Sequence, residues 1–426
     1  MKYSRRIGMY SVSLVFIWCF FSSFCGAENL RSPLTHAPYT KTLIDLVEHN
    51  SDLKSMLEKS IQKAAAINPN KESNPAQSLE EYYDFLDWAA TAMPFNILPS
   101  ADTYPKLYES IDQSLDYFYF LVDQPLEELE GKGYYHNSLQ YVEPFRSWMI
   151  VFTKNWGDFL NTPASWNSEF YKRALADGRF GLDKGWYESP ENWFTFNQFF
   201  SRYLKSPDVR PIASPENEAV VVSPADSTPQ GVWKIDKKSR LVGKGVPIKS
   251  SIFNSIPDLI GPESAYRNAF ANGKMTHTFL DVNDYHRYHF PVSGVVKEMK
   301  VILADDAVGG TQIWSNELNK YVLQDTNPGW QMIETRACII IDTGKFGLVA
   351  VLPIGMSQVC SVNYEPTLKV GDRIEKGDPL GYFLFGGSDI VMIFQPKASF
   401  KFKVPEAENG KYKHLLMGEK YGIMQP

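Results

Sequence analysis

Cysteine is scarce in this chain, which has 4 in 426 residues. Cys19 and Cys25 lie within the first 27 residues, so only Cys338 and Cys360 remain beyond them. Two cysteines are too few for a disulfide framework. A single bridge between Cys338 and Cys360 is allowed in an oxidising compartment. Because both lie in strand-like runs, the pattern favours small buried side chains instead.

Excess positive charge is also absent. The formal net charge is −6, and lysine and arginine do not cluster into a basic patch. Nonspecific nucleic-acid binding needs such a patch to neutralise phosphates, so we expect no nucleic-acid partner.

Long apolar runs are missing after residue 27, so no later segment is predicted to cross a membrane. Residues 1–27 have the pattern of a secretory signal peptide, with basic residues at positions 2, 5 and 6 and an apolar core from Ser11 to Phe24. Cys25-Gly26-Ala27 supplies small residues for cleavage. The alternative is an uncleaved membrane anchor, although the core is shorter than the about 20 residues of a full span. We expect an exported protein that is periplasmic, secreted or membrane-associated.

The pattern of apolar residues changes near residue 195. Residues 40 to 190 show apolar positions at helical spacing, as in Leu79 to Ala89, and their aromatic residues are assigned to packing. From Ala219 onward, short β-branched or aliphatic runs are broken by Gly, Pro and Asp, as in Ala337 to Asp342. The prediction is an α+β protein with a signal peptide (1–27), a mainly helical domain (28–192) and a mostly β, barrel-like domain (193–426).

The segment from Leu368 to Tyr382 contains two predicted turns, at Gly371-Asp372 and Gly377-Asp378. Each turn reverses a short strand, so this segment predicts a compact antiparallel barrel. It leads into Gly386-Gly387-Ser388, where the glycines allow a sharp bend and close approach of the backbone. A hydroxyl directly after them, between two strand-like runs, is unusual for a simple turn.

Three positions in the β half bear reactive groups: Asp226, the pair His286 and His289, and Ser388. Each has an ordinary interpretation, since Asp226 could cap a turn and the histidines could be hydrogen-bonded without catalysing anything. The two histidines could also bind zinc, but the sequence has no Cys or Glu cluster that would complete such a site. Together the residues supply Asp, His and Ser in that chain order, the inventory of a nucleophilic triad. The Gly-x-Ser-x-Gly elbow of ordinary serine hydrolases is absent.

Four ordered motifs carry a resemblance to one family. Asp284 to Gly294 closely resembles the Asp-Tyr-His-Arg-x-His-x-Pro-x-x-Gly signature of phosphatidylserine decarboxylases, and Ser223 to Asp226 resembles their Ser-Pro-x-Asp-Gly element. Phe385 to Ser388 is similar to their Gly-Ser-Thr self-processing site. Phe196 to Arg202, with Arg210-Pro211, is similar to their entry segment. The resemblance covers about residues 193 to 400. The helical half resembles the accessory domain of a branch that includes tryptophan decarboxylases.

The resemblance implies that Ser388 attacks the carbonyl of Gly387, with His289 as the base and Asp226 orienting its imidazole. The chain would be cut between Gly387 and Ser388, and Ser388 would become a covalent pyruvoyl group that serves as the electron sink for loss of carbon dioxide. Neither pyridoxal phosphate nor a metal would be needed. His286 would handle the substrate carboxylate or reprotonate the carbanion.

Two residues depart from the family pattern. Asp389 replaces the usual Thr or Ser after the nucleophile, which predicts a carboxylate beside the scissile bond that either repels the developing oxyanion or assists proton transfer. Ser227 replaces the usual glycine after Asp226.

The resemblance implies a pyruvoyl-dependent decarboxylase that converts phosphatidylserine to phosphatidylethanolamine and carbon dioxide. The alternative within enzymes is a decarboxylase of a free aromatic L-amino acid such as tryptophan. Alternatives of another class are a non-catalytic barrel that binds a ligand and a β-rich metallopeptidase. Expected partners are a phospholipid or amino-acid substrate, a peripheral membrane contact, and a second chain, as a homodimer or as a processed heterodimer of large and small chains.

Overall fold

The computed structural model describes residues 36–92, 113–134, 136–243, 246–248, 251–303, 311–324, 334–355, 362–386, 388–407 and 411–425. The predicted signal peptide (1–27), Cys360 and Gly387 lie outside these residues. Residues from His36 onward belong to one compact unit. The predicted boundary at residue 193 stays a prediction. Within the described residues, no helix is both long and apolar enough to span a bilayer.

Helices dominate the described residues before 200, as the apolar spacing predicts. In the segment Ser51–Ile67, Asn50 caps the first turn by accepting a hydrogen bond from the Leu53 backbone N–H (3.0 Å), and Leu53 and Leu57 are buried one turn apart. The helices are α1 (Pro38–Glu48), α2 (Ser51–Ile67), α3 (Leu79–Ala89), α4 (Gln113–Val122), α5 (Phe145–Phe159), α6 (Ser168–Ala176), α7 (Phe196–Phe200) and α8 (Ile256–Ile260).

Strands dominate after residue 219. They are β1 (Val220–Val222), β2 (Thr228–Lys234), β3 (Val246–Ile248), β4 (Ser251–Phe253), β5 (Lys274–Phe279), β6 (Arg287–His289), β7 (Gly294–Ile302), β8 (Thr311–Ser315), β9 (Lys320–Gln324), β10 (Thr335–Asp342), β11 (Leu348–Gly355), β12 (Val362–Tyr364), β13 (Arg373–Ile374), β14 (Pro379–Phe383), β15 (Asp389–Phe394), β16 (Lys401–Phe402) and β17 (Lys420–Ile423). The α+β prediction is confirmed.

The largest sheet has seven antiparallel strands in the order β13-β7-β10-β11-β15-β5-β2. Its edge strands, β13 and β2, do not pair with each other, so the barrel-like expectation is not confirmed: no sheet built from the described residues closes into a barrel. The predicted compact barrel at 368–382 is also wrong. Its two strands join different sheets, because β13 pairs with β7 whereas β14 pairs with β6 and β12.

The central strand β15 is buried on both faces. Ile390, Met392 and Phe394 face a core that the β half shares with the helices, whereas Val391 and Ile393 face a second core that α8 covers. This alternation follows from the period of two in a strand. Cys338 lies in the second core as a buried free thiol whose pKa burial raises to about 12, which confirms the expectation of a small buried side chain at this position.

Helix α4 and the hairpin β8–β9 are held together tightly. The Gln113 side chain donates to the Tyr321 carbonyl (2.9 Å) and accepts from the Tyr321 backbone N–H (2.7 Å). The Tyr321 hydroxyl donates to the carbonyl of Ser73 (2.7 Å), and its ring packs against those of Tyr117 and Phe120. Helix α4 and the hairpin β8–β9 therefore pack together as one unit, although they come from different halves of the chain.

Candidate active site

Ser388 lies immediately before β15 and is 2% exposed. Its carbonyl accepts a hydrogen bond from the Leu280 backbone N–H (2.9 Å), whereas its Oγ is buried with no hydrogen-bond partner among the described residues. A buried hydroxyl without a partner is costly, and such atoms mark places where structure serves chemistry. Gly386, two positions earlier, has φ of 130°, which only glycine adopts readily.

The short helix α7 positions the segment that leads to Ser388. Thr195 begins the helix with a capping box, and Asn197 accepts a hydrogen bond from the Phe385 backbone N–H through its side-chain oxygen (3.0 Å). Phe200 packs edge-on against Phe385. The predicted entry segment thus fixes the chain just before the scissile bond.

Ser388 and His286 line the same cavity, which has a volume of about 260 Å³. Its wall is built by both halves of the chain, from α4, α7, the end of β5, the hairpin β8–β9 and the residues around Ser388. The lining residues are Leu115, Asp116, Tyr119, Phe200, Phe279, Leu280, Asp281, Val282, His286, Gln312, Lys320, Tyr321, Val322, Phe385 and Ser388. The helical half therefore shapes the cavity rather than only packing beside it.

His286 is buried and stacks on Phe200 at 3.7 Å between ring centroids. Its Nδ1 is 3.0 Å from the Asp284 carbonyl oxygen, so Nδ1–H donates and Nε2 carries the lone pair. Nε2 has no hydrogen-bond partner among the described residues. Burial and the nearby Arg202 guanidinium hold the pKa of His286 well below its usual range. The imidazole is therefore a neutral proton acceptor that faces the cavity with Ser388.

His289 occupies β6, where its two ring nitrogens are both engaged. Nδ1 donates to the Gly377 carbonyl (2.8 Å), and Nε2 accepts from the Tyr285 hydroxyl (3.1 Å). His289 does not line the cavity that holds Ser388, and no hydrogen bond joins the two residues. The base role predicted for His289 in self-cleavage therefore requires Nε2 to exchange its bond with Tyr285 for one with Ser388.

The unfolding free energy should depend on pH through His289. Burial lowers its pKa to about 4 in the folded chain, against 6.5 for an ordinary histidine, so between these values the unfolded chain binds more protons. Stability should fall as pH drops from about 6.5 to 4, by on the order of 3 kcal/mol for this group. Denaturant titrations across that range, on an uncut Ser388→Ala chain, should show a shallower pH dependence after His289→Gln. The same slope of unfolding free energy against pH with and without His289→Gln would contradict this account. The control is His49→Gln, because His49 is exposed.

Asp226 is buried, but its partner is not the one predicted. Its carboxylate accepts two hydrogen bonds from the Arg210 guanidinium (3.0 and 2.6 Å) and one from the Met417 backbone N–H (2.7 Å). No hydrogen bond joins His289 to Asp226, because Gly377 and Tyr285 occupy both ring nitrogens, so the predicted orientation of the imidazole by Asp226 is not made through a direct contact. Asp226 is instead one of the charges that oppose the lowering of the His289 pKa, so it supports the imidazolium through space.

The sequence predicted that the Asp389 carboxylate lies beside the scissile bond, but this side chain lies on the opposite face of the sheet from Ser388. Successive side chains of a strand point to opposite faces, so Asp389 lies on the face of Val391, away from the Ser388 side of the sheet. There its carboxylate contacts Nε2 of His277 on the neighbouring strand β5. Burial raises the pKa of Asp389, and the His277 contact opposes that rise. The expected repulsion of an oxyanion by this carboxylate is not supported, because the side chain is bound to His277 on the other face.

Sequence reasoning missed several residues of this site. Arg210 and Tyr285 were part of quoted motifs, but nothing local indicated that they bind Asp226 and His289. Tyr119 and Gln312 gave no signal at all, since an aromatic residue in a helix and an amide in a short strand are ordinary core and surface features. Within the described ranges, no group of three or more His, Cys, Asp or Glu side chains is placed to hold a metal ion.

Comparison with known proteins points to one family. The family model described as phosphatidylserine decarboxylase matches residues 196–423, just over half of the chain. The chain is 34% identical to phosphatidylserine decarboxylase proenzyme 2 of rice over 49% of its own length, which is 30% of the rice protein. It is 30% identical to the phosphatidylserine decarboxylase proenzyme of Fusobacterium nucleatum, over 57% of this chain and 74% of that one. Decarboxylase iboD of Amanita muscaria is 26% identical over 61% of this chain and 79% of its own length.

Proposed function

The chain belongs to the phosphatidylserine decarboxylase family, a family of carboxy-lyases, and from that premise we propose that it cuts itself between Gly387 and Ser388 and then decarboxylates an α-amino acid group. One observation supports this proposal above all: the Ser388 Oγ is buried and has no hydrogen-bond partner among the described residues. It lies in a cavity that Ser388 shares with the neutral His286. A structural serine in the same position would be expected to bond to the backbone around it.

Self-cleavage begins at the Ser388 Oγ. Its attack on the Gly387 carbonyl forms an ester and breaks the peptide C–N bond, and the proton from Oγ passes to the new amine by way of a base. His289 would act as this base once its Nε2 exchanges the hydrogen bond with Tyr285 for one with Ser388. The ester then eliminates: residue 388 loses its Cα proton to a base and its Cβ–O bond breaks, which leaves a free carboxyl group on Gly387 and a dehydroalanine at position 388. The dehydroalanine tautomerises to an imine, and water hydrolyses that imine to the ketone with release of ammonia.

The environment of residue 388 fits the pyruvoyl group that this cleavage produces. That group supplies a ketone carbonyl that takes up a substrate amine and withdraws electrons as carbon dioxide leaves. The hydrogen bond from the Leu280 N–H would hold the carbonyl of residue 388, and the Asp389–His277 contact would anchor the new end of the small chain. His286 Nε2 would take a proton from the substrate ammonium group and return it to the carbon that loses carbon dioxide.

Phosphatidylserine is the first candidate substrate, and phosphatidylethanolamine would be the product. The rice and Fusobacterium relatives are both named as phosphatidylserine decarboxylase proenzymes. A free aromatic amino acid is the second candidate. One observation favours it: at about 260 Å³ the cavity is smaller than most pockets for drug-sized ligands, and α4 closes one side of it. A phospholipid would have to leave both acyl chains outside.

Export by the signal peptide, a peripheral membrane contact and a homodimer remain part of the proposal. The large and small chains are expected to stay together as a heterodimer, because β15 of the small chain is paired on both sides within the central sheet by strands of the large chain.

Mass spectrometry and one assay test the proposal together. The intact mass of the purified protein should show two chains, of which the smaller begins at residue 388 with a pyruvoyl group. Release of carbon dioxide is then measured from phosphatidylserine in mixed micelles and from free aromatic amino acids. An uncut chain without activity on either substrate would overturn the proposal, whereas cleavage with activity on one of them would identify the substrate.

A further inference from the structure

Two polar groups in the cavity wall have no part in the chemistry described above. The Tyr119 hydroxyl and the Gln312 Oε1 are both buried, and neither has a hydrogen-bond partner among the described residues. Both residues line the cavity that contains Ser388 and His286. A buried polar group without a hydrogen-bond partner is destabilising, so two of them in one cavity indicate that a ligand completes them.

Both residues have Asp123 as a neighbour. The Asp123 carboxylate accepts a hydrogen bond from the Gln312 backbone N–H (3.2 Å), and the charge of Asp123 also contributes to raising the pKa of Tyr119. Tyr119 lies on the face of α4 that also carries Leu115 and Asp116, because residues three and four apart share one side of a helix. We call these two residues, which line the same cavity from the two halves of the chain, the polar patch.

The wall that carries this patch is rigid. The hairpin β8–β9 is tied to α4 by the paired hydrogen bonds between Gln113 and Tyr321, both of which are buried. A preformed polar patch binds its ligand without an ordering cost, and it discriminates strongly against a ligand that cannot satisfy it.

We propose that Tyr119 and Gln312 form a specificity subsite that receives a hydrogen-bond donor at the end of the substrate distant from its reacting amine. This inference rests on the proposed decarboxylase function. It assigns the substrate to free amino acids whose apolar side chain ends in an O–H or N–H group. Other lining residues suit the apolar part, since Leu115, Phe279 and Val282 line the same cavity.

A phosphodiester fits the subsite poorly. Its phosphate oxygens are only hydrogen-bond acceptors, and the buried Oε1 of Gln312 is an acceptor as well, so the two cannot bond to each other. The lining is also acidic, because it includes both Asp116 and Asp281. Lys320 is the only lysine or arginine among the described lining residues. The phosphate of a phospholipid head group would therefore meet more carboxylates than cations.

Binding of ligands that cannot react tests the subsite apart from catalysis. We would use 3-(4-hydroxyphenyl)propionate and 3-phenylpropionate, which lack the amine and differ by one hydroxyl. The phosphodiester probe is glycerophosphocholine, whose quaternary nitrogen cannot form an imine with a ketone. Calorimetry is done on the cleaved protein and on the variants Tyr119→Phe and Gln312→Met. Tyr82→Phe is the matched control, because the Tyr82 hydroxyl is likewise buried with no partner in the described part of the chain, but Tyr82 does not line the cavity.

The hydroxylated ligand should bind about tenfold more tightly than its phenyl analogue, the equivalent of one good hydrogen bond. Tyr119→Phe and Gln312→Met should each abolish most of that ratio, and Tyr82→Phe should leave it unchanged. Equal affinities for the matched pair, tighter binding of the phosphodiester, or no binding of any probe would each overturn the inference. Intact masses keep the two claims apart, since an uncut wild-type chain would contradict the proposed function instead.

Discussion

Ser388→Ala is expected to leave the chain in one piece and to reduce decarboxylation to background. The variant lacks the Oγ that attacks the Gly387 carbonyl, so neither the cut nor the pyruvoyl group can form. Because this Oγ has no hydrogen-bond partner among the described residues, its loss should leave the unfolding free energy unchanged or raise it by up to about 1 kcal/mol. Intact mass, carbon dioxide release and denaturant titration measure the three effects on the same sample.

Ser60→Ala is the matched control for this experiment. Ser60 is as buried as Ser388, but its hydroxyl donates to the Leu121 carbonyl (2.7 Å) in the helical half. This variant should lose about 1 kcal/mol of stability and still be cut into two chains. Cleavage of Ser388→Ala at the same bond would exclude Ser388 as the nucleophile, and a large loss of its stability would point to a structural role instead.

His286→Gln is expected to separate the two reactions. Glutamine can keep a hydrogen bond to the Asp284 carbonyl but cannot carry a proton, so cleavage should proceed while decarboxylation slows by about 10²- to 10⁴-fold. The fall should appear in kcat rather than in KM, because the proton is transferred after the substrate is bound. Intact mass measures cleavage, and carbon dioxide release at saturating substrate measures kcat.

His289→Gln should give the opposite result, with slow cleavage of the chain, if its predicted base role holds. His36→Gln is the control, since His36 bonds to Asp87 in the helical half, away from the cavity. A His286→Gln chain that remains uncut would mean that His286, which shares the cavity with Ser388, is the base for self-cleavage. The present assignment of the two histidines would then be reversed.

The fold class followed from local patterns. Leu79–Ala89 is a helix as its spacing predicts, and residues 337 to 342 lie in β10 as their β-branched run predicts. The barrel did not follow, because the turns between β13 and β14 show where the chain reverses but not which sheet each strand joins. Strand pairing depends on partners that are distant along the chain, as β13 with β7, and the local sequence does not specify them.

The sequence by itself determined which reactive groups the protein has and in what order: Asp226, His286, His289 and Ser388 stand in motifs whose residue types and spacing are readable without a structure. Only the tertiary structure decided how they are paired. Asp226 binds Arg210, 16 positions away, and Asp389 contacts His277, 112 positions away, on the face opposite Ser388. Gln113 and Tyr321, 208 positions apart, bring Tyr119 and Gln312 to one cavity wall. The physical reason is that helix spacing and turn chemistry act over a few residues, whereas hydrogen-bond partners and cavity walls are set by packing between distant segments.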